Sequence, residues 1–308
     1  MRIFFLLGIA VLLLADTLTC RTQMLMGTYA KICAPDTKQQ LIQQAFERLK
    51  SVETALSSYD HQADIYKLNH QGAVNLKSDT YEALLKSRRY YYESGTLFNI
   101  AIGAITKKLY RFGENERIPT PKELDDANIT FLGLHFGRDH ARLEKNIQID
   151  LGGMGKGFGV DKAAEIFRQS PIQNATIALS GDIRCLGHCD VAVTDPFHEG
   201  RIIERFHTRK NDLGISTSGN YQRYVKSQNN NHLIDPDTKR PAHTFASITL
   251  IGPIASSDLD AYATAASLMD IHEAKKFLAQ FQLAYILYTL KGTRIASSNL
   301  TTYANINK

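Results

Sequence analysis

The chain has 308 residues, 44% of them hydrophobic and 22% charged, which is the balance of a folded globular protein with a sizeable core. Its 36 Lys and Arg against 31 Asp and Glu leave a formal charge of +5, and the basic residues are scattered in pairs such as Arg88-Arg89 and Lys107-Lys108. No basic run tracks a nucleic-acid backbone, so nucleic acid is not an expected partner.

Arg2 followed by an unbroken apolar stretch from Ile3 to Leu14 reads as an export signal, too short to span a bilayer by itself. Residues 1–19 are expected to be a signal peptide and residues 20–308 a single exported domain in the periplasm. Cys20 stands where a bacterial lipoprotein is cut and acylated, yet Thr17-Leu18-Thr19 ahead of it fits that pattern poorly. Two fates stay open, an inner-membrane lipid anchor on Cys20 and simple cleavage. From Thr37 to Leu56, the residues Ile42, Phe46, Leu49, Val52 and Leu56 recur at helical intervals and form one core-facing stripe. Asp79 with Glu82 three residues on predicts a capping box for a second helix running to about Gly95. The polar segment from Gly113 to Asn128 reads as loop.

Residues 149–167, IDLGGMGKGFGVDKAAEIF, crowd five glycines around one lysine. Glycine in such number is costly, because each loses more conformational freedom on folding than any other residue. A phosphate cradled at a helix N-terminus is the first candidate. The known fingerprints do not fit: Gly155-Lys156 is followed by Gly157 where a Walker loop needs Ser or Thr, and no frame holds G-x-G-x-x-G. The residues alone predict a strand ending at Asp150, a crowded turn, and a helix from about Val160.

Strand-like runs follow at Ala175 to Leu179, Val191 to Thr194, Ile202 to Phe206, Phe245 to Ile251 and Leu283 to Leu290. Helices are expected from about Asp260 and from Ile271 to Phe281. Strands outnumber helices in this half, so the fold class is α+β. In CLGHC, Gly187 suggests a hairpin turn across which Cys185 and Cys189 could pair; a zinc site using His188 is the alternative and lacks a second ligand pair. Asp260 and Thr264 stand four apart on an expected helix and share a face, a pair of hard oxygen donors suited to Mg²⁺.

Seven segments together resemble the ApbE family of FAD:protein FMN transferases: MGTYAKI at 26–32, LSSYDHQADIYKLN at 56–69, the IDLGGMGKGFGVD loop, SGDIR, STSGNYQRY, HLIDPDTKRP and DAYATA. The resemblance runs from about Met26 to beyond Met269 and implies an ApbE-like mixed fold, with a mainly antiparallel sheet flanked by helices. It also implies that FMN is moved from FAD to a threonine hydroxyl of an acceptor protein with release of AMP. The implied acceptors are flavoproteins such as exported quinone-oxidoreductase subunits. On matching positions, the Gly153 main-chain oxygen, Asp260 and Thr264 would hold Mg²⁺. Asp150, Lys156, Met26, Tyr59, Ile234 and the segment Leu97-Phe98-Asn99 would contact FAD.

Phosphoryl transfer asks a protein mainly for positioning and charge neutralisation. A base must still take the threonine proton, and His232 is the candidate because an unperturbed imidazole titrates near working pH. The family commonly has Phe-Asp-Pro-Thr where this chain has Phe98-Asn99-Ile100-Ala101, and Gly-Gly-Asp where it has Ser180-Gly181-Asp182. Two other activities are compatible with these residues: a pyrophosphatase giving FMN and AMP from FAD, and a non-catalytic FAD-binding protein.

Overall fold

In this computed structural model, which describes residues 17–170, 172 and 174–306, eight strands form one sheet. They are β1 (Leu18–Leu25), β2 (Thr28–Pro35), β3 (Ala175–Leu179), β4 (Asp182–Leu186), β5 (Leu213–Gly219), β6 (Phe245–Gly252), β7 (Ala284–Thr289) and β8 (Arg294–Ala296). Their spatial order is their order along the chain, and every neighbouring pair is antiparallel. The expected α+β class, with a mainly antiparallel sheet flanked by helices, is borne out. The apolar stretch Ile3 to Leu14 and Arg2 lie outside the described residues.

Helices occupy the connections. Between β2 and β3 the chain forms α1 (Gln39–Leu56), α2 (Asp64–Gln71), α3 (Ser78–Glu93) and α4 (Gly155–Arg168), and between β6 and β7 it forms α5 (Ser256–Ala266) and α6 (Ile271–Ala279). The stripe of α1 is buried as its spacing demands: Ile42, Phe46 and Leu49 pack with Val160, Ala163 and Phe167 of α4 onto Ile32 and Ile177 of the sheet, while Val52 and Leu56 join the cluster of Ile65, Leu68 and Leu84 from α2 and α3. Strand β6 is buried at every residue, because Ile248 and Leu250 face the helices while Ile251 faces a small sheet containing Asp190–Thr194 and Ile202–Thr208. Burial on both faces erases the polar alternation and leaves an unbroken apolar run.

Three local expectations fail. The strand expected to end at Asp150 is reduced to a single bridge between Ile102 and Gln148. Helix α3 starts at Ser78, so Asp79 sits inside its first turn and cannot cap it. The carboxylate instead grips Arg48 of α1 through two bonds of 2.5 and 2.6 Å. The Gly113 to Asn128 segment is not all loop: Pro121–Asp125 is a short helix, opened by a complete capping box between Thr120 and Glu123.

Cys185 and Cys189 are bonded to each other as expected, but not across a hairpin: Asp182–Leu186 and Asp190–Thr194 belong to different sheets, and the bond ties one sheet to the other. His188 gives its Nδ1 to the Thr208 carbonyl at 2.9 Å, and among the described residues no cluster of three His, Cys, Asp or Glu is placed to hold a metal. Cys20 is bonded to Cys33, with Cα atoms 4.1 Å apart across β1 and β2. A sulfur in that bond is not free to carry a thioether lipid, so the disulfide and the lipid anchor are alternative fates of Cys20. Leu18 and Thr19, expected in the signal peptide, are paired in β1 opposite Pro35 and Ala34.

Strand β1 is exposed along most of its length, so little apolar burial holds it to β2. Replacing Cys20 and Cys33 by Ser is expected to cost about 2–4 kcal/mol of stability. Hydrogen exchange should accelerate at residues 18–25 and leave α1 and α4 protected; slow exchange in both regions would contradict this account.

Candidate active site

Helix α4 begins at Gly155, earlier than periodicity suggests, so Gly155, Gly157 and Gly159 lie inside it. The reason is contact. A Cβ at Gly157 would stand 2.3 Å from the Ser256 carbonyl oxygen, and one at Gly159 would stand 2.8 Å from Met26 Sδ. Bare backbone therefore lets α5 and the β1–β2 turn press onto α4. Gly153, whose Cβ would meet Thr264 at 3.0 Å and Phe98 at 3.2 Å, sits against the expected metal ligands.

Against this face of α4 lies α5, with Asp260 buried. The Gly157 N–H donates to Asp260 Oδ2 at 3.0 Å, and Thr264 donates its hydroxyl to the Gly153 carbonyl at 3.2 Å. Lys156 Nζ lies 2.7 Å from Asp182 Oδ2 at the start of β4, and 3.5 Å from Asp260 Oδ2. The Ser216 hydroxyl of β5 donates to Asp182 Oδ1 at 2.5 Å. No hydroxyl or backbone N–H points at Asp182 Oδ2, so the lysine charge is what answers it. The three expected metal ligands and Lys156 are thus brought together, along with Asp182 of the SGDIR segment and Ser216 of the STSGNYQRY segment.

Two buried carboxylates sharing one ammonium set the electrostatics. Burial works against the charge of Lys156, but Asp182 and Asp260 outweigh it and raise its pKa. Burial, and then the like charge of Asp182, push Asp260 well above the usual carboxylate range. A carbonyl, a hydroxyl and a carboxylate are hard oxygen donors, and a divalent cation would relieve the surplus of negative charge. The residues therefore fit Mg²⁺, which uses few protein ligands and fills the remainder with water and substrate oxygens.

Asp150 is half-buried on the other side of the glycine loop. Burial would raise its pKa, but Lys107 at 3.7 Å, the Thr106 hydroxyl at 2.7 Å and the Gly152 N–H at 2.9 Å outweigh that and hold it down. Lys107 also donates to the Tyr59 hydroxyl at 2.7 Å and lies 4.2 Å over its ring. Tyr59, Tyr66, Lys107, Lys108, Arg111 and Phe112 line an open cavity of about 370 Å³ beside Asp150.

His232 stands edge-on to Phe112, with ring centres 6.5 Å apart. Its Nδ1 lies 3.1 Å from the Arg223 carbonyl, an acceptor only, so Nδ1 carries the proton and Nε2 keeps its lone pair. Burial is the main reason its pKa is pushed down to about 4; the charges of Arg223 and Lys156 add to this, while the bond to Arg223 and the charge of Asp150 oppose it. Desolvation thus moves His232 downward from the titration expected of a free imidazole and favours its neutral form.

The remaining expected FAD contacts are spread around this centre. Met26 adopts a left-handed φ of 52° and gives its N–H to Glu53 at 2.6 Å. Phe98 is buried edge-on to Tyr90, and Leu97 packs at the same cluster. Asn99 donates to the Ile129 carbonyl at 2.9 Å and accepts from Ala101 N–H at 2.9 Å. An ionised Asp could not make the first of these bonds, so this departure from the family pattern holds a loop. The Ile234 side chain is core, packed with Ile105 and Tyr110. Asp161, quoted within the glycine motif but given no role, accepts three hydrogen bonds from the first turn of α5.

A sheet running in chain order, with its polar site between two helices, defines a known architecture. The apbe protein of Thermotoga maritima shares the fold at a TM-score of 0.83 and 21% identity, covering 93% of this chain and 99% of that one. The flavin transferase ApbE from Vibrio cholerae shares it at 0.79 and 21% identity, covering 94% and 99%. The chain belongs to the ApbE family, whose model matches residues 26–287. Relatives named FAD:protein FMN transferase include that of Haemophilus influenzae, 27% identical over 262 residues, covering 78% of this chain and 75% of the relative. That of Treponema pallidum is 27% identical over 315 residues, covering 90% and 86%.

The raised pKa of Asp260 has a sign that can be measured. The metal-free folded state keeps a proton on Asp260 at pH values where the unfolded chain has lost it, so stability should fall as pH rises from the acid range toward neutrality. Asp260→Asn, which cannot ionise, should flatten that slope in denaturant titrations. An unchanged slope would place the strain elsewhere.

Proposed function

We propose that this chain is an Mg²⁺-dependent FAD:protein FMN transferase, exported to an oxidising compartment. The observation that carries the reading is Lys156 held between Asp182 and Asp260, beside the Gly153–Thr264 contact, within the ApbE fold. The names of the relatives support the same activity. Two disulfides among the described residues support an oxidising destination.

In the proposed reaction the acceptor threonine oxygen attacks the phosphorus of the FMN half. The bond to the bridging oxygen breaks, AMP leaves with that oxygen, and the threonine proton passes to Nε2 of His232. Mg²⁺ held by the Gly153 carbonyl, Asp260 and Thr264 would supply positive charge for the diphosphate and the leaving AMP. Lys156 supplies a second, permanent positive charge, fixed by Asp182 so that it need not reorganise during reaction. His232 is neutral and pre-oriented by Arg223. A diphosphate brought near it adds negative charge, which raises its affinity for the proton when it is needed.

The test uses FAD, Mg²⁺ and a co-expressed exported quinone-oxidoreductase subunit as acceptor. One FMN should add to the acceptor's mass for each AMP released. FMN and AMP appearing as fast without acceptor would favour a pyrophosphatase, and an unchanged FAD pool would favour a binding protein. His232→Ala should slow transfer by roughly 10²- to 10⁴-fold while leaving FAD binding nearly intact. In saturating Mg²⁺, which keeps Asp260 ionised, the wild-type rate should fall on the acid side as His232 takes a proton, and the variant should lack that limb. An acid limb that survives unchanged in His232→Ala would exclude His232 as the base.

A further inference from the structure

We infer that Asp161 is the positioning residue for the cation ligands on α5, an inference that rests on reading Gly153, Asp260 and Thr264 as an oxygen-donor cation site. Helix α5 opens at Ser256 after Ala255, which offers no side-chain cap. Its first N–H groups are answered from another helix. Ser256 N–H donates to one oxygen of Asp161 at 2.7 Å and Ser257 N–H to the other at 2.9 Å, while the Ser257 hydroxyl adds a third bond of 2.7 Å. A carboxylate at a helix N-terminus is also favoured by the helix dipole.

Asp161 stands four residues beyond Gly157, so both lie on one face of α4. Gly157 admits the Ser256 carbonyl and gives its N–H to Asp260, whereas Asp161 fixes how far along α4 the end of α5 rests. Asp260 and Thr264 follow Ser256 at intervals of four, and their height against Gly157 and Gly153 is set from that end. The other anchors of α5 point elsewhere: Asp258 accepts from Tyr90 and Arg89 at 2.5 Å each, and Tyr262 donates to Glu93 at 2.7 Å. They tie α5 to α3 and keep it folded without fixing its register on α4.

The experiment titrates Mn²⁺ alone, in the absence of flavin, into the wild type, Asp161→Ala and Asp161→Asn, with bound metal read by electron paramagnetic resonance. The alanine variant should bind Mn²⁺ about 10- to 100-fold more weakly with an unchanged far-ultraviolet dichroism spectrum. Asparagine keeps one oxygen acceptor and should fall between; if the alanine variant does not fold, the asparagine titration decides alone. Wild-type affinity in the folded variants overturns the inference and leaves the cation site standing. A wild type that takes no Mn²⁺ overturns the cation site and this inference with it.

Discussion

The ammonium of Lys156 sits between Asp182 and Asp260, and the geometry around it follows from what two buried carboxylates demand. Neither acid would stay ionised in a dry interior without an opposing charge, and one lysine is half of what two acids need. Lys156 must therefore be held in place, which requires the first turn of α4 to lie directly under α5. That requirement in turn forbids a side chain at Gly157, where even a methyl group would collide with the Ser256 carbonyl. The glycines that stood out in the sequence are thus a packing answer to an electrostatic problem.

The same geometry explains why the site draws on both helix and strand. Asp182 opens β4 and Ser216 lies on β5, so one wall is fixed by hydrogen bonding across the sheet. Asp260 and Thr264 are presented by a helix whose remaining faces are buried against α3 and the sheet. A group on a loop would lose more order on binding than these do, and preorganisation of this kind favours stabilising charge that develops during reaction.

What could be read from sequence divides along physical lines. The α1 stripe, the buried β6 run and the Cys185–Cys189 pair were legible because periodicity and short spacing are local signals. Asp79 misled because a capping motif and a first-turn ion pair have the same spelling, and only the position of Arg48 one helix away separates them. The start of α4 was placed late because glycine counts against helix in any local scale, while the contacts that favour it come from Ser256 and Met26, far off in sequence. Four-residue spacing offered Asp260 and Thr264 as oxygen donors, and resemblance to the family added Gly153 to them. It said nothing of Asp161 or of the depressed titration of His232, which depend on burial and on neighbours no motif spells out.

The sheet runs in chain order, yet the pieces of the site are delivered by separate connections: the glycine loop before β3, Asp182 at the start of β4, His232 between β5 and β6, and Asp260 beyond β6. Contacts of such long sequence separation form late, because loop-closure entropy must be overcome before they contribute. A chain cut before α5 would keep the glycine loop, Asp182 and His232 yet lack Asp260 and Thr264, so the centre is complete only with the last third of the polypeptide.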